Sequence, residues 1–364
     1  MYSDNDLERA VAAGALTPEA ASALRRFFSE QAATPVADEE QFRLITGFND
    51  IFVAIASALL LTALAWIGYE MGPKLEDGPS FLSGLLVAAA AWGLAEFFTR
   101  QRRMALPSIL LLLAFAGGIL FTAMTALVQI VGESAVDDNE RTAALLFAVS
   151  AATAGAATWA HWRRFRVPIT VAAGAAAAAG VLLALIASAV AGLPNFKDLM
   201  LASAFVLGLG VFAFAMWWDA SDRARATRRA DVAFWLHLLA APLIVHPVFQ
   251  ALGVLDNRVS MGSAVIVVLL YVVLAVVALV VDRRALMVSA LAYVLYALSA
   301  LFRELGAVGL NVALTALVIG SALLLLSAFW HQARAVIVER LPYRIAGKVP
   351  PTHEAAGTVS AQTA

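Results

Sequence analysis

Residues 105–131 read ALPSILLLLAFAGGILFTAMTALVQIV, a stretch without one charged side chain. Coiled as a helix at 1.5 Å per residue, it reaches about 40 Å, more than the ~30 Å hydrocarbon layer of a bilayer. Working outward, two stretches of the same kind precede it, Ile51–Tyr69 and Phe81–Phe98. Seven follow: Thr142–Trp162, Val167–Ala191, Leu199–Trp218, Val232–Leu255, Met261–Val281, Ala285–Leu301 and Ala307–Phe329. Composition agrees. Of 364 residues 62% are hydrophobic and 14% charged, where a soluble domain has roughly 45–50% and about 25%. There is too little polar side chain to coat a water-facing globule of this size. The expected fold class is an all-α integral membrane protein of about ten transmembrane helices, with the lipid bilayer as its first partner.

The basic residues orient these spans. Loops after even-numbered spans carry Arg100, Arg102 and Arg103; Arg163, Arg164 and Arg166; Arg223, Arg225, Arg228 and Arg229; then Arg283 and Arg284. Loops after odd-numbered spans carry Lys74, Arg141, Lys197, Arg258 and Arg303, together with the acidic clusters Glu76/Asp77 and Glu133/Asp137/Asp138/Glu140. A miscounted helix would invert this alternation from that point onward, so the charge bias supports the count independently of hydropathy. Trp159, Trp162, Trp217, Trp218, Trp235 and Trp330 lie near the basic side, as an interfacial belt does. Both termini are therefore expected in the cytoplasm. Arginine far outnumbers lysine (Lys74, Lys197 and Lys348) and alanine is abundant, a composition typical of high-GC bacteria, so the expected location is a bacterial inner membrane. The start, Met1–Asp6, is acidic and leads into an amphipathic stretch, so no cleavable leader is expected.

Ahead of the first span, residues 1–35 read as a cytoplasmic helical hairpin. Ser3 and Asp6 suit a capped start, Gly14 a stop, and Thr17-Pro18-Glu19 an N-cap, a proline at the first helical position and an acidic first turn. Leu24, Phe27 and Phe28 share one side of the second helix and form the candidate partner face. Residues 36–49 follow as a linker and an interfacial helix with Phe42, Ile45 and Phe48 toward lipid. The ten-helix domain occupies 50–330, and 331–364 read as a cytoplasmic tail, disordered toward its end.

The stretch from Leu7 through Gly14, Thr17, Pro18 and Glu19 to Leu24 resembles the hairpin that opens a group of uncharacterised bacterial multi-pass membrane proteins. Gln41 through Asp50 to Val53 is similar to the approach to their first span. The resemblance runs by sequence to the start of the first span and continues beyond it by helix pattern. It implies the fold and supplies no site residue.

An aromatic cluster, arginines and a new apolar helix recur at similar spacing: at Phe97–Arg103, Trp159–Arg164, Trp217–Arg229 and, without aromatics, Val281–Arg284. Duplicated helical hairpins explain this, and so does any chain that obeys the positive-inside rule.

Ionisable groups within lipid are costly and point to function by default. Span seven is the most irregular, with His237, Pro242, His246, Pro247 and Gln250. Its prolines remove two backbone donors and should kink it, freeing the carbonyls of Leu238 and Leu243. His246 and Gln250, four apart, share a face. His237 and His246 are nine apart and point in opposite directions, which argues against a two-histidine metal site. Each histidine reads either as a buried hydrogen-bond donor or as a proton-relay or substrate contact. Glu96 is the carboxylate deepest within a span, and Arg100 is its i+4 neighbour; an interfacial ion pair is the plain reading. Gln129, Asn311, Tyr271, Tyr293 and Tyr296 suit hydrogen bonds between helices, and Ala151/Gly155 with Gly174 to Gly180 suit close helix approach. Gly208-Leu-Gly210 is too short for a phosphate loop. Cysteine is absent, and no nucleophile–base pair, metal triad, cofactor motif or nucleic-acid motif can be assembled, so neither an enzyme nor a cofactor is expected. Two functions remain. One is a membrane scaffold or accessory envelope component that recruits a partner through residues 1–48. The other is a small-solute transporter with five-plus-five helices and a site near span seven, in which spans two and seven correspond.

Overall fold

The computed structural model describes residues 11–14, 16–24, 48–73, 75, 78–223, 225, 227–253, 261–304, 309–342, 347 and 349–350. Contacts divide the chain into two units, residues 1–44 and 45–364. In the first, residues 11–12 and 18–24 are helical. Gly14 has φ +68°, and Thr17 Oγ1 accepts from the Ala20 amide at 3.2 Å, which stops one helix and caps the next. Leu24 is half-buried. Phe27, Phe28, Phe42 and Ile45 lie outside the described residues.

The second unit holds α1 (Phe48–Met71), α2 (Phe81–Ala95), a π-helical turn (Glu96–Gln101), α3 (Ala105–Val131), α4 (Glu133–Asp137), α5 (Glu140–Phe165) and α6 (Ile169–Val190). It continues with α7 (Phe196–Ala220), α8 (Arg228–Ala251), α9 (Met261–Val281), α10 (Ala285–Glu304), α11 (Asn311–Ala328) and α12 (Trp330–Val338). Each of the ten apolar stretches falls on a helix. Among the described residues, eight helices are long and apolar enough to cross a membrane; α9 and α10 contain shorter apolar segments, Val265–Val281 and Val294–Arg303. The exterior is a girdle of lipid-compatible side chains, with Leu59, Trp66, Val206, Leu269 and Leu324 all exposed. The protein is a multi-pass, all-α membrane protein.

Helix starts follow local chemistry. Ser80 Oγ accepts from Leu82 N at 3.1 Å. Asn139 Oδ1 accepts from Arg141 N and Thr142 N at 3.0 and 3.3 Å. Thr227 Oγ1 accepts from Arg229 N at 3.2 Å. Each satisfies amides that the first helical turn leaves without partners. The interiors are apolar all round, so small residues rather than an apolar stripe mark the packing faces. A Cβ on Gly84 would stand 2.5 Å from the Gly118 carbonyl, and one on Gly118 would stand 2.7 Å from that of Gly84, so α2 and α3 meet backbone to backbone. Gly155 and Gly180 bring α5 and α6 together against Ala177 and Ala151.

Successive spans pair as hairpins: α2 with α3, α5 with α6, α7 with α8, and α9 with α10. The loop inside each hairpin contains one non-glycine residue in the left-handed region: Arg103 (φ 53°), Arg166 (55°), Arg225 (53°) and Asp282 (58°). They recur at nearly even intervals along the chain, and each stands just ahead of the next helix start. Charge bias alone asks for arginines in these loops and does not ask for that corner. Each of these four hairpins thus turns on the same kind of left-handed corner.

The helix α8 sits at the centre, packed on α6, α7 and α10. Half of its apolar window is buried, against 11–28% for the other seven long spans. It remains helical through both Pro242 and Pro247.

Candidate functional site

At the arginine-rich end of the second unit, charged side chains are buried together. Asp219 ends α7 at 2% exposure, and Arg283 sits between α9 and α10 at 3%. Arg283 grips Asp219 with both arms of its fork: Nη2 bonds Oδ1, and Nε donates to Oδ2 at 3.2 Å. Its Nη2 also donates to the Ala230 carbonyl in the first turn of α8 at 3.1 Å. One guanidinium thus ties α7, α8 and the α9–α10 corner.

Asp282 organises a second knot one residue away. Its Oδ2 accepts from Arg225 Nη1 at 2.8 Å, and its Oδ1 from the Trp330 indole at 2.7 Å. Arg334 Nε approaches Oδ1 at 3.6 Å. Arg225 Nη2 also donates to the carbonyls of Val281 and Asp282 at 3.2 and 2.8 Å, holding the left-handed corner in place. Burial alone would push the Asp282 carboxyl up. The guanidiniums of Arg225 and Arg334 and the Trp330 N–H outweigh that and hold it below the usual carboxylate range. Asp222 accepts from Thr227 N and Oγ1 at 2.9 and 2.6 Å. Arg223 donates to the Val349 carbonyl at 3.2 and 3.1 Å, and Arg334 to that of Pro350 at 2.6 Å. The stretch after Trp330, which reads as a polar tail, thus begins as helix α12, and its Val349 and Pro350 are pinned to the bundle end. Its last residues, 351–364, lie outside the described residues.

Of the sequence-derived candidates, His237 alone borders this cluster. His237, fully buried on α8, bonds the Ala233 carbonyl through Nδ1 at 2.8 Å; the same nitrogen lies 3.7 Å from Asp219 Oδ2. Its Nε2 has no hydrogen-bond partner among the described residues. His246, nine residues on, is exposed, so the two rings do face opposite ways. Gln250 belongs to the arginine-poor end, where it lines a groove of about 480 Å³ with Lys197, Asp198 and Phe205. Glu96 stands in the π-helical turn, paired with Arg100 at 3.3 Å as expected and, more closely, with Arg164 of α5 at 2.7 and 2.9 Å. Gln129 donates to the Pro73 carbonyl and Asn311 to Ser299, both at 2.8 Å, tying helix ends as inter-helix partners do. The Tyr271 hydroxyl is buried without a partner among the described residues. The Tyr293 side chain lies outside the described residues. Gly208 allows close approach to the Leu243 backbone on α8, a packing role.

Sequence reasoning passes over Asp219, Asp282 and Arg283, because the arginines serve there only to orient the spans. A usable signal exists: aspartates next to span ends, inside loops otherwise rich in arginine. His161 is passed over too. It is buried among Trp92, Phe115 and Phe165 and lies 3.3 Å from Thr170 Oγ1. Among the described residues, no group of three histidine or acidic side chains is placed to hold a metal ion.

No protein-family model, curated protein or solved structure matches this chain.

Proposed function

We propose that the chain is a ten-span protein of a bacterial inner membrane, with both termini in the cytoplasm, and that it serves as a scaffold or accessory component rather than as a carrier. The observation that supports this reading most is the internal closure of the arginine-rich end. Asp219, Asp222 and Asp282 are all bonded within the protein, which makes a fixed platform rather than a charge pathway. The separation of His237, Glu96 and the His246/Gln250 face from one another points the same way. On this reading residues 1–48 recruit the partner, and the chain belongs with the uncharacterised multi-pass proteins that its N-terminal stretch resembles.

Reconstitution tests the proposal. Proteoliposomes should take up no more of a metabolite mixture than empty vesicles do, and deletion of residues 1–35 should leave membrane insertion intact while removing cross-linked partners. Solute uptake that is lost in His237→Ala would replace this reading with transport. One observation favours that second reading: a buried imidazole 3.7 Å from a buried carboxylate on a neighbouring span has the ingredients of a proton site.

A further inference from the structure

Beside the Asp282 knot, a cleft of about 160 Å³ opens between α9, α10 and α11. Its walls are Tyr271, Met287, Val288, Leu291, Leu323 and Leu326, and its outer lip is exposed, Val288 at 62%. In an aqueous protein such a slot would be a small-molecule pocket; here its open side faces the girdle that lipid covers. Apart from the Tyr271 hydroxyl, the polar side chains that line it are Ser327 and Arg284. Ser327 and Arg284 flank the cleft where it reaches the arginine-rich end, and Trp330 closes it.

Arg284 differs from its neighbours. Arg225, Arg283 and Arg334 each meet a carboxylate. Arg284 lies over the Trp330 ring at 4.9 Å and has no carboxylate partner among the described residues. The ring beneath it is fixed, because its N–H is committed to Asp282 at 2.7 Å. The half-buried Arg284 is thus held on a rigid aromatic platform at the edge of an apolar slot. Its charge favours an anion, and its place at a span end puts such an anion at headgroup depth.

We propose that this cleft binds an anionic glycerophospholipid, with one acyl chain lying in the slot against Val288, Leu291 and Leu323 and the phosphate paired with Arg284. Ser327 lines the same cleft and offers a hydroxyl donor to the headgroup. A zwitterionic lipid fills the slot equally well but brings its own cation to Arg284, so charge sets the preference. The lipid site does not rest on the scaffold reading; a carrier and a scaffold would both keep this lipid.

Native mass spectrometry of the full chain in detergent, titrated with dioleoylphosphatidylglycerol or dioleoylphosphatidylcholine, tests it. The wild type should retain the anionic lipid about fivefold more than the zwitterionic one, the weight of one arginine beside an anionic surface. Arg284→Ala should erase that preference, and Arg284→Lys should keep most of it. Val288→Trp, which fills the slot from its lipid-facing lip, should reduce retention of both lipids. Lys197→Ala, at the opposite end, should change nothing. Equal retention of the two lipids by the wild type, an unchanged preference in Arg284→Ala, or undiminished retention in Val288→Trp would each overturn the proposal.

Discussion

Replacing Arg283 by methionine is the sharpest perturbation of the platform at the arginine-rich end. The substitution keeps most of the side-chain volume and removes three hydrogen bonds at once: two to Asp219 and one to the Ala230 carbonyl. Asp219, 2% exposed, loses its ion-pair partner in a medium that solvates charge poorly, with the His237 ring 3.7 Å away. Breaking a buried pair from one side costs about 3–5 kcal/mol. For a domain of this size that is a fall of roughly 6–10 °C in the apparent unfolding midpoint. The assay is tryptophan fluorescence in detergent micelles, with a helical circular-dichroism trace alongside. The second arm of the cycle is decisive: Asp219→Asn in the Arg283→Met background removes the stranded charge and should recover more than half of the loss. A single variant that shifts by less than about 2 °C, or a double variant no better than the single, would refute the claim that the pair is a desolvated clamp.

Because the folded Asp282 carboxyl titrates below its ordinary range, its contribution is complete above the ordinary carboxylate pKa of about 4 and is lost as pH falls through the depressed value. The Asp282 share of the midpoint should stay constant from pH 7 to 5 and be lost only in stronger acid, so the gap between the wild type and Asp282→Asn should be even over that range and close at lower pH. Gly84→Val drives a side chain into the Gly118 carbonyl and should separate α2 from α3, seen as lost helical signal on mild heating. Gly93→Ala, with nothing within 4 Å of its Cβ, should be neutral or stabilising by up to about 1 kcal/mol. Ending the chain at residue 346 removes the carbonyl acceptors of Arg223 and Arg334 and should lower the midpoint by less than Arg283→Met does.

The architecture is legible where one physical rule dominates. A span must be apolar for about 20 residues whatever it packs against, so all ten stretches can be placed on helices from hydropathy and arginine positions. Packing is partly legible: the small faces of α5 and α6 announce themselves as runs of alanine and glycine. The contact of Gly84 with Gly118 joins two isolated positions and does not announce itself. The charged knots are not legible, because a loop arginine that orients a span and one that is buried against an aspartate are the same letter. Only the fold brings Asp219, Arg283 and Ala230 together from distant parts of the chain. The left-handed corners are hidden for a related reason: arginine and aspartate occupy them where glycine would have been the signal. Among the candidates, the opposite headings of His237 and His246 follow from helix geometry alone, while the pairing of Glu96 with Arg164 needs the neighbouring hairpin.

Absence of cysteine makes the chain a ready background for site-directed labelling, which tests the threading most directly. Single cysteines introduced as Ser134→Cys, in the arginine-poor loop before α5, and Arg229→Cys, in the first turn of α8, are exposed to a membrane-impermeant maleimide in right-side-out and inverted vesicles. Position 134 should react only from the outer face and position 229 only from the inner one. Labelling of both from the same face would contradict this threading.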